Sequence, residues 1–411
     1  MKKVGIEAMN LYPGRAKLDV HDLFVGRGLN LSHFENLLMY ERSVHLPWED
    51  PVTNAVNAAK PIIDAMSEED KNRIELVITS SESGVDFGKS ISTYVHRHLG
   101  LGNRCRLLEV KQACFGGTAA LQLSINYIAS QVSPGAKILI MSSDIARNSD
   151  KMSYAEPSLG TGAVAMLVGE NPEVFEMEFG KNGLHAFEVG DTCRPQADIE
   201  TGDPDLSLFS YIDCMEQCVS DYMSRCKVED FVKEFDYLTF HTPFAGMVKG
   251  AFRHLMRKLY RLKPQESDAI FAEKIQPSII FPQKVGNLYS ASIYSALTSL
   301  LSNIKIADKK HVGMFSYGSG CSSEFYSGFI TPKSVEKVLA MNIAERIEER
   351  YRLNMETFDK IFEENSKWFF GVQDGKIDFD LFPEIYKQKF EGTGALVLDH
   401  IKGYHREYRW S

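Results

Sequence analysis

The sequence predicts an α/β fold. Short β-branched or aliphatic runs alternate with stretches of helical periodicity, the pattern of strands joined by helical crossovers. Several runs end in elbows of small polar residues, and an aperiodic stretch rich in Asp, Gly and Pro lies near the middle of the chain. Two halves are therefore expected, residues 1–183 and 184–411, although no repeat is visible letter by letter.

In chain order, the opening MKKVGIEAMN carries two lysines as a signal peptide would, but Glu7 and Asn10 interrupt its apolar stretch. It reads as a first strand. Residues 75–79, 137–141 and 163–168 are apolar runs of strand length. Between them, in GTAALQLSINYIAS, Leu121, Ile125 and Ile128 recur on one helical face. Residues 185–209 lack any period and read as a long loop joining the halves. Strands follow at 237–240 and 312–316. Residues 333–368 hold two helical patterns, SVEKVLAMNIAERIEERY and METFDKIFEENSKW, before a last strand at 395–399.

At 411 residues and 46.3 kDa the chain is long enough for two or three lobes with cores of their own. Its 46 basic and 55 acidic residues leave a net charge of −9. That field repels nucleic acid and anionic lipid, so neither is expected as a partner without a local basic patch. No apolar run approaches the ~18 residues of a membrane span, and a cytoplasmic location is expected. The cysteines, Cys105, Cys114, Cys193, Cys214, Cys218, Cys226 and Cys321, are odd in number and form no C-x-x-C pair. Neither a disulfide framework nor a metal site is signalled. Cys214 and Cys218, four apart in a helical pattern, read as small apolar residues on a packed face.

Some residues carry chemical potential. In EVKQACFGGTAALQLS, Cys114 sits between an extended segment and a helix start, where free N–H groups favour a thiolate. Gly116 and Gly117 remove bulk beside the sulfur, as the approach of a thioester requires. Glu82 follows a strand in LVITSSESGVD, a position from which a carboxylate can serve as general base in a cleft. His241 follows the strand YLTF, and Pro243 turns the chain just beyond it. Asn287 stands after a glycine and before a helix, placed to cap that helix or to hold a carbonyl. Ser319 and Gly320 form an elbow of N–H groups suited to an oxyanion. Each has an ordinary structural reading too: a buried cysteine at a turn, a solvated glutamate, a core histidine, a capping amide, a strand-to-helix turn. Together they equip a carbon–carbon bond-forming reaction of thioesters.

The segments VITSSESGVD, VKQACFGGTAALQL, MSSDIAR with EPSLGTGAVAML, DTCRP, LTFHTPF, VGNLYSASIYSALTSLL and MFSYGSGCSSEFYSG resemble, in order, those of the hydroxymethylglutaryl-CoA synthase family of the thiolase superfamily. That resemblance implies a thiolase-like αβαβα layered fold built from two related halves and a homodimer. It also implies Cys114 as acyl carrier, Glu82 as general acid/base and His241 as the group that holds the acceptor. The first half would carry Glu82 and Cys114, the second His241 and Asn287.

Departures from the CoA-using members concern the carrier. After His-x-Pro-Phe those enzymes typically have a lysine at the tunnel rim, where this chain has Ala245 and Gly246. Asn148 replaces the tyrosine of a D-x-A-x-Y motif, and LLMYERS replaces a G-x-G-Q element. The pattern resembles the polyketide β-branching branch, of curacin or jamaicamide type, in which acyl groups arrive on donor and acceptor acyl carrier proteins. No resident cofactor is then expected, because phosphopantetheine arrives on the partner. A CoA-dependent synthase of mevalonate biosynthesis, a decarboxylating ketoacyl synthase and a non-catalytic acyl-binding thiolase-fold subunit are the alternatives; Glu82 speaks against the ketoacyl synthase. Finally, KGAFRHLMRKLYRLKP spaces Arg253, Arg257 and Arg261 four residues apart, a basic stripe that an acidic carrier protein would suit.

Overall fold

The computed structural model describes residues 2–146, 151–153, 155–196 and 199–411. Asn148 lies outside the described residues. The strands to the middle of the chain are β1 (Gly5–Tyr12), β2 (Ala16–Asp19), β3 (Glu41–Val44), β4 (Ile74–Ser80), β5 (Arg106–Val110), β6 (Lys137–Asp144), β7 (Gly162–Gly169) and β8 (Phe175–Ala186). Then come β9 (Thr192–Gln196), β10 (Ile199–Gly202), β11 (Tyr237–Phe240), β12 (Lys310–Gly318) and β13 (Ser322–Ile330). Nine of them form one sheet in the order β11-β12-β13-β8-β1-β7-β6-β4-β5.

Strand periodicity divides the apolar residues between layers. Along β7, Val164, Met166 and Val168 enter one core, and Ala163, Ala165 and Leu167 enter another. Along β12, Val312 and Met314 face the first core while Phe315 and Tyr317 face a third. This is the two-residue period of a strand buried on both faces. The shared first core holds the helices Gly116–Ala129 and Ser292–Asn303, which contribute Leu121, Ile125, Ile128, Ile293, Leu297 and Leu300. Helices Pro51–Asp64 and Ile91–His98 cover the outer face of the N-terminal strands. Helices Pro204–Cys226 and Ala245–Tyr260 cover the outer face of the C-terminal strands. Helix, sheet, paired helices, sheet and helix are the expected αβαβα layers. Among the described residues the two strand sets pair where Gly5 and Ile6 of β1 meet Glu176 and Phe175 of β8.

Three expectations are corrected. The stretch 185–209 is not a loop: it holds the end of β8, the β9–β10 hairpin and the start of helix Pro204–Cys226. Asp203 starts that helix by accepting from the N–H groups of Asp205 and Leu206, with Pro204 in the first turn. The division expected after residue 183 falls within β8. The pattern SVEKVLAMNIAERIEERY divides into Pro332–Leu339 and Ile343–Glu348, because Asn342 between them takes a left-handed φ of 50°. Among the described residues no helix is long and apolar enough to cross a membrane.

Candidate active site

The ends of β4, β11 and β12 and the turn before the Gly116–Ala129 helix converge on one cavity of about 1050 Å³. Glu82, Cys114, His241, Asn287, Ser319 and Gly320 all line it. The six residues singled out in the sequence, spread from Glu82 to Gly320, therefore share one space.

Cys114 enters from a tight turn, with Ala113 at φ 42°. The helix it precedes seats on the strand ends through its glycines. A Cβ on Gly116 would lie 2.4 Å from Ser80 Oγ, and one on Gly117 would lie 2.5 Å from both Ser142 Oγ and the Ser290 carbonyl oxygen. Helix packing, rather than room for a thioester, is thus what demands glycine here. The Cys114 Sγ donates to Glu82 Oε1 at 3.2 Å.

Glu82 is held by its own backbone. Asp144, fully buried at the end of β6, accepts through Oδ1 from Ser81 Oγ (3.0 Å), the Glu82 N–H (2.8 Å), the Ser83 N–H (3.0 Å) and Ser83 Oγ (2.9 Å). Its Oδ2 accepts from the Ser290 N–H (3.2 Å) and Ser290 Oγ (2.6 Å). One carboxylate thereby ties the Glu82 elbow of the first half to the Asn287–Ser290 turn of the second.

Electrostatics follow from burial. Desolvation pushes Glu82 up to about 7; the Arg194 charge opposes the rise, and Asp144 and Glu200 reinforce it. Burial and the Glu82 charge push the Cys114 thiol well above its ordinary value. The expectation of a helix-stabilised thiolate is corrected accordingly: desolvation beside a carboxylate outweighs the helix start. His241, 2 % exposed, is pushed down to about 3 by burial and is a neutral imidazole. The Tyr211 hydroxyl donates to the His241 carbonyl at 2.7 Å, and the rings of Tyr211 and Tyr317 flank the imidazole.

Asn287 Oδ1 accepts from the Tyr289 N–H at 2.9 Å within the turn rather than capping the Ser292–Asn303 helix, and its NH2 is the end left to a carbonyl. The elbow at Ser319 and Gly320 is narrower in donors than expected. The Gly320 N–H is engaged by Asp191 Oδ1 at 2.9 Å, and the Cys321 N–H by the Phe187 carbonyl at 2.7 Å. Asp191 also accepts from Tyr317 (2.8 Å) and Ser207 (3.2 Å), which pins the elbow to the chain before β9.

The basic stripe lies beside the main cavity. Arg253 and Arg257 line a second hollow of about 470 Å³ that shares Leu208, Phe244 and Met247 with the first. Arg253 forms a bidentate pair with Asp268, both bonds 2.6 Å. Lys258 pairs with Glu216, whereas Arg257 and Arg261 have no carboxylate within ion-pair distance among the described residues. Gly246 packs on the helix Leu31–Leu37, where its Cβ would lie 1.9 Å from the Asn36 carbonyl oxygen. A lysine at position 246 has no space. Cys214 and Cys218 are buried as expected, Cys218 Sγ lying 3.2 Å from Ser323 Oγ.

Sequence reasoning missed Asp144, Asp191 and Arg194. Their roles arise from contacts across the fold, although the segment MSSDIAR contains Asp144 and DTCRP contains Asp191 and Arg194. Among the described residues no group of three or more His, Cys, Asp and Glu could hold a metal ion.

The chain matches the family models "Hydroxymethylglutaryl-coenzyme A synthase N terminal" over residues 2–173 and "Hydroxymethylglutaryl-coenzyme A synthase C terminal" over residues 257–386. It is 50% identical, over the full length of both chains, to the polyketide biosynthesis 3-hydroxy-3-methylglutaryl-ACP synthase PksG of Bacillus subtilis. It is 31% identical to the hydroxymethylglutaryl-CoA synthase of Enterococcus faecalis, over 88% of this chain and 92% of that one. The crystal structure of the curacin pathway HMG synthase in complex with acetyl donor-ACP superposes with a TM-score of 0.97 at 49% identity, covering all of both chains.

The Asp144 clasp predicts that Asp144→Ala destabilises the protein by about 3 kcal/mol or more, since buried donors of both halves lose a charged acceptor together. Calorimetry is expected to record a lower unfolding temperature. An unchanged one would show that the halves do not depend on this carboxylate.

Proposed function

The chain belongs to the hydroxymethylglutaryl-CoA synthase family, and we propose that it is the acyl-carrier-protein-dependent hydroxymethylglutaryl synthase of polyketide β-branching. The observation that carries the chemistry is the 3.2 Å contact between the Cys114 thiol and the Glu82 carboxyl, in a cavity shared with neutral His241 and Asn287. Support for the carrier comes from the full-length identity to PksG and from the curacin enzyme's complexes with donor-ACP.

Acetyl passes from the phosphopantetheine thiol of a donor carrier protein to Cys114, and the donor leaves as free thiol. Glu82 as carboxylate then removes a proton from the acetyl methyl group. The enolate attacks the β-ketone of an acceptor thioester, forming the carbon–carbon bond and an alkoxide. The neutral His241 N–H and the Asn287 NH2 orient that ketone and stabilise the oxygen as charge develops. Protonated Glu82 is the acid that neutralises it. Water cleaves the Cys114 thioester, releasing the carboxymethyl branch and restoring the thiol. Ser319 stays in the proposal as a backbone contact to the thioester oxygen, with Gly320 shaping the elbow. The chemistry calls for no resident metal or cofactor, and the family resemblance adds a homodimer and a cytoplasmic setting to the same proposal.

A CoA-dependent synthase is the second reading, favoured by the 31% identity to the Enterococcus faecalis enzyme. It differs in the carrier, not in the residues that react.

Cys114→Ser should form no acetyl-enzyme, because a serine hydroxyl is a far weaker nucleophile than a thiol. Glu82→Gln should still become acetylated but condense roughly 10² times more slowly or worse. Intact-protein mass separates these outcomes, and equal loss of both steps in Glu82→Gln would remove it from the base role. With Glu82 near 7, the condensation rate of preformed acetyl-enzyme should rise as pH passes through about 7 and then level, because only the carboxylate accepts the methyl proton.

For docking, Arg257 and Arg261 are the stripe's available charges. Arg257→Glu with Arg261→Glu should lower kcat/KM for the acyl carrier protein, with a loss that shrinks as salt rises, and should leave acetylation by a small thioester unchanged. Unaltered carrier kinetics at low salt would place the docking surface elsewhere.

A further inference from the structure

Lining the same cavity, the β9–β10 hairpin carries an ion pair for which the reaction above has no use. Arg194 Nη2 lies 2.5 Å from Glu200 Oε2, joining the two strands. The same guanidinium reaches out of the hairpin in two directions. Its Nη1 donates to the Glu82 carbonyl at 3.3 Å, its Nε stands 3.8 Å from Glu82 Oε2, and its plane covers the Tyr289 ring with 5.0 Å between guanidinium carbon and centroid. All three charged side chains are largely withdrawn from water: Arg194 is 12%, Glu82 13% and Glu200 16% exposed. Charges so placed are weakly screened and act strongly on one another.

The hairpin is held firmly at its base. Thr201 pairs with Cys193 and Gly202 with Thr192, and a Cβ on Gly202 would lie 2.2 Å from the Asp191 carbonyl oxygen. Asp191 is in turn fixed to Tyr317 and Gly320. The position of Arg194 over Glu82 is therefore set by the same elbow that borders the reacting sulfur.

We propose that the β9–β10 hairpin is a charged cover on the general base, with Arg194 as a positioning residue that holds the Glu82 carboxylate and Glu200 as the counterweight that limits this hold. The inference rests on the reading of Glu82 as base. The groups facing that carboxyl are Arg194 and Glu200 from the hairpin, Asp144 from the end of β6 and the Cys114 thiol. Arg194 favours the charged form, whereas burial, Asp144 and Glu200 disfavour it. Without the cation, Glu82 would stay protonated further up the pH scale and be unavailable for the methyl proton. With the cation unopposed, it would be ionised earlier but a poorer proton acceptor. The pair leaves it between these limits.

The test is the pH profile of condensation, measured on the full chain with Cys114 acetylated beforehand, for wild type, Arg194→Gln, Arg194→Lys, Glu200→Gln and Glu82→Gln. Arg194→Gln should move the rising limb up by about one pH unit, so that condensation one unit below the wild-type midpoint slows roughly tenfold. Glu200→Gln should move it down, and Arg194→Lys should restore most of the wild-type midpoint. Acetylation of Cys114 at high pH should change by less than about threefold in Arg194→Gln. Opposite shifts from two members of one ion pair are something a merely structural role would not produce. Equal midpoints, or shifts in the same direction, would overturn the proposal. If the limb persists in Glu82→Gln, the base assignment itself fails and the proposal fails with it. If Glu82→Gln abolishes the limb while the hairpin variants leave it in place, only the hairpin's role is refuted.

Discussion

The arrangement depends on one buried carboxylate. Asp144 takes hydrogen bonds from Ser81, Glu82 and Ser83 on one side and from Ser290 on the other, at 2.6–3.2 Å. A charge at zero exposure is tolerable only when such donors surround it. The donors it gathers are the backbone that aims Glu82 and the turn that follows Asn287. Glu82 and Asn287 come from different halves of the chain, so the site exists only because the layers between them close on this point.

Once closed, the cavity alters the ordinary behaviour of its reactive groups through desolvation. Glu82 rises toward neutrality, where a carboxyl can both take and return a proton. The Cys114 thiol stays protonated and hydrogen-bonded to it, and His241 stays neutral. A neutral imidazole suits a group that must donate to a ketone without giving its proton away. Arg194 is the countering charge; without it burial would act on Glu82 with less opposition.

Much of the fold was legible because strands and helices bury apolar residues at their own periods. The runs at 137–141 and 163–168 became β6 and β7, β6 extended by Ser142, Ser143 and Asp144 and β7 by one glycine at each end, residues that hydropathy does not register. The hairpin at Thr192–Gln196 and Ile199–Gly202 was invisible because Pro, Arg, Glu and Thr give it no apolar face; it is held by Asp191 and by pairing, not by burial. Of the site, the residue types at strand ends were readable, and all six candidates meet in one cavity. What could not be read was their state. A cysteine before a helix suggests a thiolate until the carboxylate 3.2 Å away is known, and the Gly320 N–H looks available until Asp191 is found bonded to it. Such properties belong to contacts between distant segments, which no spacing encodes.

The central claim, that a carrier-bound acetyl group is transferred to Cys114, meets its most direct test in a competition. Acetyl carrier protein and isotopically heavy acetyl-CoA, in equal amounts and without acceptor, would be offered together to the protein, and the Cys114 peptide weighed after rapid quenching. The account predicts a predominantly light acetyl group on Cys114. A predominantly heavy one would make this a CoA-dependent synthase, and an acetyl group on any other residue would contradict the assignment of the nucleophile.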